Sequence, residues 1–331
     1  MPQHTDIISI GGAAFDVFVR APHETVTRNG DSFIQFPLGA KIKIESEVQS
    51  CGGGAANTSV GFSRLNLHAG FCGVIGDDEW GKGIQETLQS EGVDTATAII
   101  VEGEISSFSI ILMDPATGER TVLYSGNVNA HLRDPVLPKE ELMQSKWIFL
   151  NHLSDVSGMI MDDLCEILLT PKTKLAWNPG GSQIKNGYDQ GLEKDLLRET
   201  DLLFLNKEEA LAFTRTATVE EALRTLAKAG AAITCVTDGA KGAWLSDGKT
   251  VYVSDAVQSH VVDTTGAGDA FAVGVTWGVI AGLSLPMALK AGMINASSVV
   301  GSIGTQAGLL TEKELYDRIA SIELPVISYP L

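Results

Sequence analysis

The sequence predicts an α/β protein in which a mainly parallel sheet is sandwiched by helices and carries a small β-sheet lid. Three observations lead there. From Lys146 onward, short apolar strands alternate with helical segments, the pattern of a sheet covered by helices. Two earlier segments, about 17–50 and 104–125, break into short alternating pieces that read as strands of a small sheet. The passage Asp263-Thr264-Thr265-Gly266-Ala267-Gly268-Asp269-Ala270-Phe271 follows a β-branched run and opens an apolar helix, giving strand, tight turn and helix start.

Composition bounds the reading. The chain has 331 residues, 44% of them apolar, enough to fill a substantial core, and we expect one domain over 1–331. Its net charge of -17 comes with no basic patch, which disfavours nucleic acid and anionic membranes as partners. Cys51, Cys72, Cys165 and Cys235 lie far apart with no C-x-x-C pair, suggesting reduced thiols in a cytoplasmic protein. The polar first residues lead straight into a strand, so no signal peptide is expected. The apolar run at 270–283 is too short and glycine-rich for a membrane span; Gly274, Gly278 and Gly282 recur every four residues and predict close helix packing.

Taken in order, residues 6–10 form a buried-type strand followed by Gly11-Gly12-Ala13-Ala14-Phe15-Asp16. The glycine turn raises a dinucleotide-dependent oxidoreductase, but G-x-G-x-x-G spacing is absent and no helix pattern follows. Asp16 stands just past the strand end, where open α/β sheets bind ligands, although a lone Asp there also suits a turn. Ser32-Phe33-Ile34-Gln35-Phe36 and Lys41-Ile42-Lys43-Ile44 read as strands of the small sheet. Ser107 to Leu112 and Arg120 to Tyr124 read likewise, about a turn at Asp114-Pro115-Ala116-Thr117-Gly118.

Between the lid segments, Cys51-Gly52-Gly53-Gly54-Ala55-Ala56-Asn57 opens a helix running to Leu65. The glycine bend is either a tight connection or a ligand loop, and an Asn amide suits a polyol because it donates and accepts together. Asp77 and Asp78 are adjacent in a turn and do not converge as a metal site; capping the helix at 80–91 accounts for them. The strand at 147–150 ends in Asn151-His152, with no acid or nucleophile partner motif for a triad. The strand at 175–177 ends near Asn178, within reach of a phosphate group. Asn206 ends another strand with Glu209 three residues on, the spacing of a capping box. Thr237-Asp238-Gly239-Ala240-Lys241-Gly242 follows a strand and has the form of a hairpin turn. The segment 291–300 reads as a small-residue helix, and Thr311-Glu312-Lys313-Glu314-Leu315 starts a capped amphipathic one.

In the central passage, Gly266 and Gly268 let the backbone approach a ligand, and the amides of a helix start form an anion site. Asp269 is then a carboxylate inside an anion site. An ordinary acidic first turn would also place an Asp there. The conflict disappears if Asp269 is a general base that takes a hydroxyl proton while the amides of Gly266, Ala267 and Gly268 stabilise a phosphoryl group in transfer.

From Asp16 to about Gly308 these motifs stand in one order: Asp16, Gly-Gly-x-x-x-Asn at Gly52, Gly53 and Asn57, N-x-x-E at Asn206 and Glu209, T-x-G-x-x-G, then D-T-x-G-A-G-D. Together they resemble the ribokinase-like (PfkB) carbohydrate and nucleoside kinases. The resemblance implies a ribokinase-like three-layer α/β/α sandwich and ATP-dependent phosphorylation of a primary hydroxyl on a sugar or nucleoside. It implies that Asp16, Gly52, Gly53 and Asn57 bind the acceptor, and that Asn206, Thr237, Gly239, Gly242 and Asn295 bind ATP. Glu209 would organise the waters of Mg²⁺, and some relatives hold a monovalent cation such as K⁺ near 301–308, toward which Asp263 and Thr265 are candidate donors. Arg120 in the lid is the candidate contact for an acceptor anion. Cys51 stands where relatives often carry proline. Exposed lid edges suggest a homodimer. The alternatives are the dinucleotide-dependent oxidoreductase and a ligand-binding relative without turnover; the presence of Asp269 argues against the latter. No G-x-x-x-x-G-K-[S/T] loop is present, so this is not a P-loop kinase.

Overall fold

The computed structural model describes residues 5–28, 31–114, 120–126, 128, 137–153, 163–164, 166–168 and 173–331. The turn expected at 114–118 lies, beyond Asp114, outside the described residues, as does Cys165. In chain order the strands are β1 (Ile7–Ile10), β2 (Ala14–Arg20), β3 (Glu24–Arg28), β4 (Asp31–Gln35), β5 (Ser46–Gly52), β6 (Ala69–Cys72), β7 (Val74–Gly76), β8 (Ile99–Val101) and β9 (Phe108–Met113). They continue as β10 (Arg120–Ser125), β11 (Trp147–Leu150), β12 (Lys174–Trp177), β13 (Thr200–Asn206), β14 (Ile233–Thr237), β15 (Ala243–Ser246), β16 (Thr250–Ser254) and β17 (Val326–Pro330). The helices are α1 (Gly54–Arg64), α2 (Glu79–Ser90), α3 (Lys139–Gln144), α4 (Gly181–Asn186), α5 (Gly191–Arg198), α6 (Lys207–Thr214), α7 (Val219–Ala229), α8 (Ala267–Ile280), α9 (Leu285–Val299) and α10 (Glu312–Ser321).

The main sheet has nine strands in the order β17-β16-β15-β14-β13-β12-β11-β1-β6. The six from β14 to β6 are parallel; β15, β16 and β17 add an antiparallel flank. A parallel sheet needs cover on both faces, and its strands are apolar on both sides here. In β11, Trp147 and Phe149 join the core beneath α1, α8, α9 and α10, while Ile148 and Leu150 join the core beneath α3 to α7. The result is the three-layer α/β/α sandwich. α8 packs on α9 through glycine: a Cβ at Gly274 would lie 2.7 Å from the Ala291 carbonyl oxygen, and one at Gly278 would lie 2.9 Å from the Ala288 Cα.

The small sheet has the order β10-β9-β2-β5. β2 pairs with β5 antiparallel and with β9 parallel, so the two lid segments meet through β2 and β9. On its outer side Phe15 and Phe108 pack with Trp80 of α2, ring centroids 4.7 and 6.1 Å from the indole.

Several local expectations change. The Gly11-Gly12 turn leads into strand β2 and not into a helix, so the dinucleotide-type strand–turn–helix is absent and Asp16 lies inside a lid strand. Residues 41–44 form no strand; they are largely exposed, and pairing begins at Ser46. Residues 260–262 are also not a strand, because Val262 and Asp263 donate to the Val300 carbonyl at the end of α9 and not to a ladder. Asp78 caps α2 by accepting from the Gly81 amide at 2.9 Å.

Candidate active site

The carboxyl ends of four adjacent parallel strands, β11 to β14, carry Asn151, Asn178, Asn206 and Thr237. Ligands of open α/β sheets bind at this edge. The start of α8 is aimed there. Gly266 caps the helix at φ 79°, a left-handed conformation, and any Cβ on it would lie 2.9 Å from the Thr305 Cβ. Of the three amides expected to hold an anion, that of Ala267 donates to the Thr264 carbonyl at 3.3 Å. Gly268 borders open space, and as the second and third residues of the helix, Gly268 and Asp269 have amides without an intrahelical acceptor.

Asp269 is partly buried, and its Oδ2 accepts from the Asn57 side-chain amide at 2.8 Å. Asn57 is in turn fixed at its other end, where its Oδ1 accepts from Thr305 Oγ1 at 2.8 Å and Gln306 Nε2 at 3.3 Å. Burial pushes the Asp269 carboxyl up from 3.8 to about 6, against the lowering effect of the Asn57 bond. A carboxyl near 6 is ionised at neutral pH and still basic enough to take a hydroxyl proton.

On the lid side, Asp16 is buried and its pKa is raised by that burial; a Ser109 hydrogen bond lowers it and the Asp263 charge raises it. Gly52 makes room for this carboxylate, since a Cβ there would fall 1.9 Å from Asp16 Oδ2. Gly53, at φ 92°, packs against the Gly12 carbonyl oxygen, 2.6 Å from where a Cβ would be. Gly53 therefore seats the start of α1, and with it Asn57, against the first turn, where the Ala55 amide donates to the Gly12 carbonyl at 3.1 Å. Arg120 crosses from β10 to Asp263, Nη1 to Oδ1 3.2 Å, and donates to Thr264 Oγ1 at 3.4 Å.

Next to the α8 start lies an open cleft whose lining includes Asn178, Asn206, Glu209, Thr237, Gly268 and Phe271. Asn206 and Glu209 form the capping box: Oδ1 of Asn206 accepts from the Glu209 amide, and the Asn206 amide donates to Glu209 Oε2, both at 2.8 Å. Burial raises the Glu209 pKa, the Asn206 amide opposes it, and the Glu208 charge adds to it. Asn178 is steadied by donating to the Phe204 carbonyl at 2.9 Å. The oxygens here, with one carboxylate among them, suit Mg²⁺, a hard cation that keeps several of its waters.

Other expected residues are not brought to this cleft's lining. Gly239 is exposed on the adjoining turn, and Gly242 is buried in it, its N–H bonded to Gly239 and its carbonyl to Asp238. Asn295 is buried and spent on protein, donating to the Ala270 carbonyl at 2.8 Å and accepting from the Leu310 amide at 3.3 Å. Asn151 turns inward to Thr58 Oγ1 at 3.1 Å. His152 lies against Gly180, where a Cβ would meet its ring. Sequence reasoning missed Ser109, Thr305 and Gln306 as site residues; the loop at 301–308 was visible, but its bonds to Asn57 span 248 and 249 residues of chain.

A carboxylate raised by burial thus stands in the first turn of α8, next to Gly268, which borders a cleft at the carboxyl ends of the parallel strands. The sequence profile of the pfkB family carbohydrate kinases matches residues 27–312. The chain belongs to that family. It is 27% identical to the ribokinase of Haemophilus influenzae over 297 residues, covering 86% of this chain and 94% of that one. It is 23% identical to a nucleoside kinase of Methanothermobacter thermautotrophicus, with 97% of each chain covered. In fold it is similar to Arabidopsis thaliana ribokinase solved with ribose and ATP, at a TM-score of 0.79 and 21% identity over 97% of this chain and 100% of that one.

Proposed function

We propose that the protein transfers the γ-phosphoryl group of ATP to a primary hydroxyl of a neutral sugar or nucleoside. The observation that carries this is the position of α8: Gly268 borders the cleft on one side, and the next residue, Asp269, is held by Asn57 on the other. Asp269 takes the hydroxyl proton, the acceptor oxygen forms a bond to the γ-phosphorus, and the bond to the β-phosphate oxygen breaks to release ADP. The Gly268 and Asp269 amides face the charge in motion. Glu209, with Asn206 and Thr237, would hold hydrated Mg²⁺, which neutralises phosphate charge when bound. Asp16 and its Ser109 neighbour bind acceptor hydroxyls, and the β2/β9 sheet excludes water.

A neutral acceptor is favoured because Asp16 is an acidic group on the lid side and the nearby lid cation, Arg120, is already paired with Asp263. β10 exposes Val122, Leu123 and Tyr124 along the edge of the small sheet, which supports a homodimer formed through it. The test is Mg²⁺-dependent ADP release with ribose, fructose, adenosine, cytidine, 2-keto-3-deoxygluconate and fructose 6-phosphate. Turnover of a neutral acceptor supports the proposal. Turnover of the acid or phosphate alone contradicts the charge argument, and tight NAD binding without MgATP binding contradicts the kinase reading itself.

A further inference from the structure

The resemblance implies that Asp263 and Thr265 face a monovalent cation in some relatives, and the surroundings of Asp263 do not fit one. A hard cation needs oxygen lone pairs converging on it. Around Asp263, hydrogen-bond donors converge instead. Its Oδ1 accepts from the Thr265 amide at 2.9 Å and the Thr265 hydroxyl at 2.7 Å, and Arg120 Nη1 lies 3.2 Å away. Its Oδ2 accepts from the Gly304 amide at 3.4 Å. The Thr264 hydroxyl is itself taken by Arg120 at 3.4 Å.

The Asp263 side chain is 2% exposed, so its charge is held out of water, and among the described residues Arg120 is the cation paired with it. A carboxylate so buried is costly without a partner. That partner comes from the lid strand β10, whereas Asp263 opens the turn that ends in Gly266 and Gly268.

We propose that Arg120 is the fixed cation of this site. The lid carries, on a side chain, the positive charge that neutralises Asp263 and steadies the turn into α8. The protein therefore needs no bound monovalent cation, and the anion loop is aligned when the lid lies over it. Arg120 acts as a positioning residue, through Asp263 and Thr264.

The inference rests on the phosphotransfer reading, so its test has a readout that does not need turnover. The full-length protein, Arg120→Gln and Arg120→Lys are compared in KCl, NaCl and choline chloride at one ionic strength. Both kcat/KM and the Tm without substrates are read. The unaltered protein should agree across the three salts in both readouts. Arg120→Gln should lose at least about tenfold in kcat/KM, the smallest factor a hydrogen bond to a charged group supplies. Dilute guanidinium chloride should restore part of that loss, and Arg120→Lys should retain more activity than Arg120→Gln. A Tm or kcat/KM of the unaltered protein that falls in choline and recovers with K⁺ would overturn the proposal, as would an Arg120→Gln variant of full activity. If no acceptor turns over, the kinase reading has failed while the Tm comparison still decides the question of the cation.

Discussion

Replacing Asn57 with alanine should move the acid limb of the pH–rate profile. In the intact site the Asp269 carboxyl sits near 6, raised by burial and partly drawn down by the 2.8 Å bond from Asn57. A hydrogen bond to a charged group is worth about 1.5–3 kcal/mol. One pKa unit corresponds to about 1.4 kcal/mol, so losing the bond should raise the carboxyl by about one unit or somewhat more. At pH 6 the ionised share then falls from about a half to about a tenth, a loss of about fivefold from ionisation alone. In alkaline solution the carboxyl is ionised in both proteins, and any remaining loss reports acceptor contact. The assay is kcat/KM from about pH 5 to about pH 9, the range that brackets the base, with circular dichroism to confirm the fold. An acid limb that stays where it is, or a loss of equal size at every pH, would refute the argument that Asn57 sets the basicity of Asp269.

The remaining predictions use other parts of the site. Asp269→Asn should lower kcat by at least about two decades, the typical worth of a general base. Because the folded pKa of Asp269 lies above its ordinary value, the carboxyl costs stability as pH rises from 3.8 through about 6; the same variant should therefore raise Tm at neutral pH and do so much less near pH 4. Glu209→Gln keeps the capping-box geometry, so a loss of about tenfold or more in Mg²⁺ affinity, read from the Mg²⁺ dependence of the rate, would report the missing charge. Gly52→Ala puts a methyl group onto Asp16 Oδ2 and should raise the acceptor KM while leaving ATP binding unchanged by calorimetry. Gly274→Ala drives a Cβ against the Ala291 carbonyl and should destabilise the protein by about 1–3 kcal/mol in urea titration.

What could be read from the sequence was local. Asn206 and Glu209 are three residues apart, and their capping box follows from that spacing alone. The αL glycine at 266 and the acidic first turn of α8 are likewise contained in nine residues. The strand alternation after Lys146 is legible because the parallel strands β11 to β14 are apolar on both faces. What joins the site is not local: Asn57 reaches Asp269 across 212 residues, and no periodicity encodes that. Asn57, expected to bind the acceptor, donates to Asp269 and accepts from Thr305, a pairing that its own neighbourhood in the sequence does not show. Residues 260–262 look like a strand because β-branched residues favour one, but their partner is the carbonyl that ends α9. Edge strand β17 escaped notice because Pro330 and exposed positions such as Ile327 break the buried pattern.

The most direct test of the account follows phosphate from ATP to product in the intact protein and in Asp269→Asn, with MgATP affinity measured on both by calorimetry. The intact protein should form a phosphate monoester at a primary hydroxyl, visible by phosphorus NMR. The variant should bind MgATP with similar affinity and form almost none. Near-normal product from the variant, or phosphate released to water in place of an ester, would contradict the assignment of Asp269 as the base of an acceptor kinase.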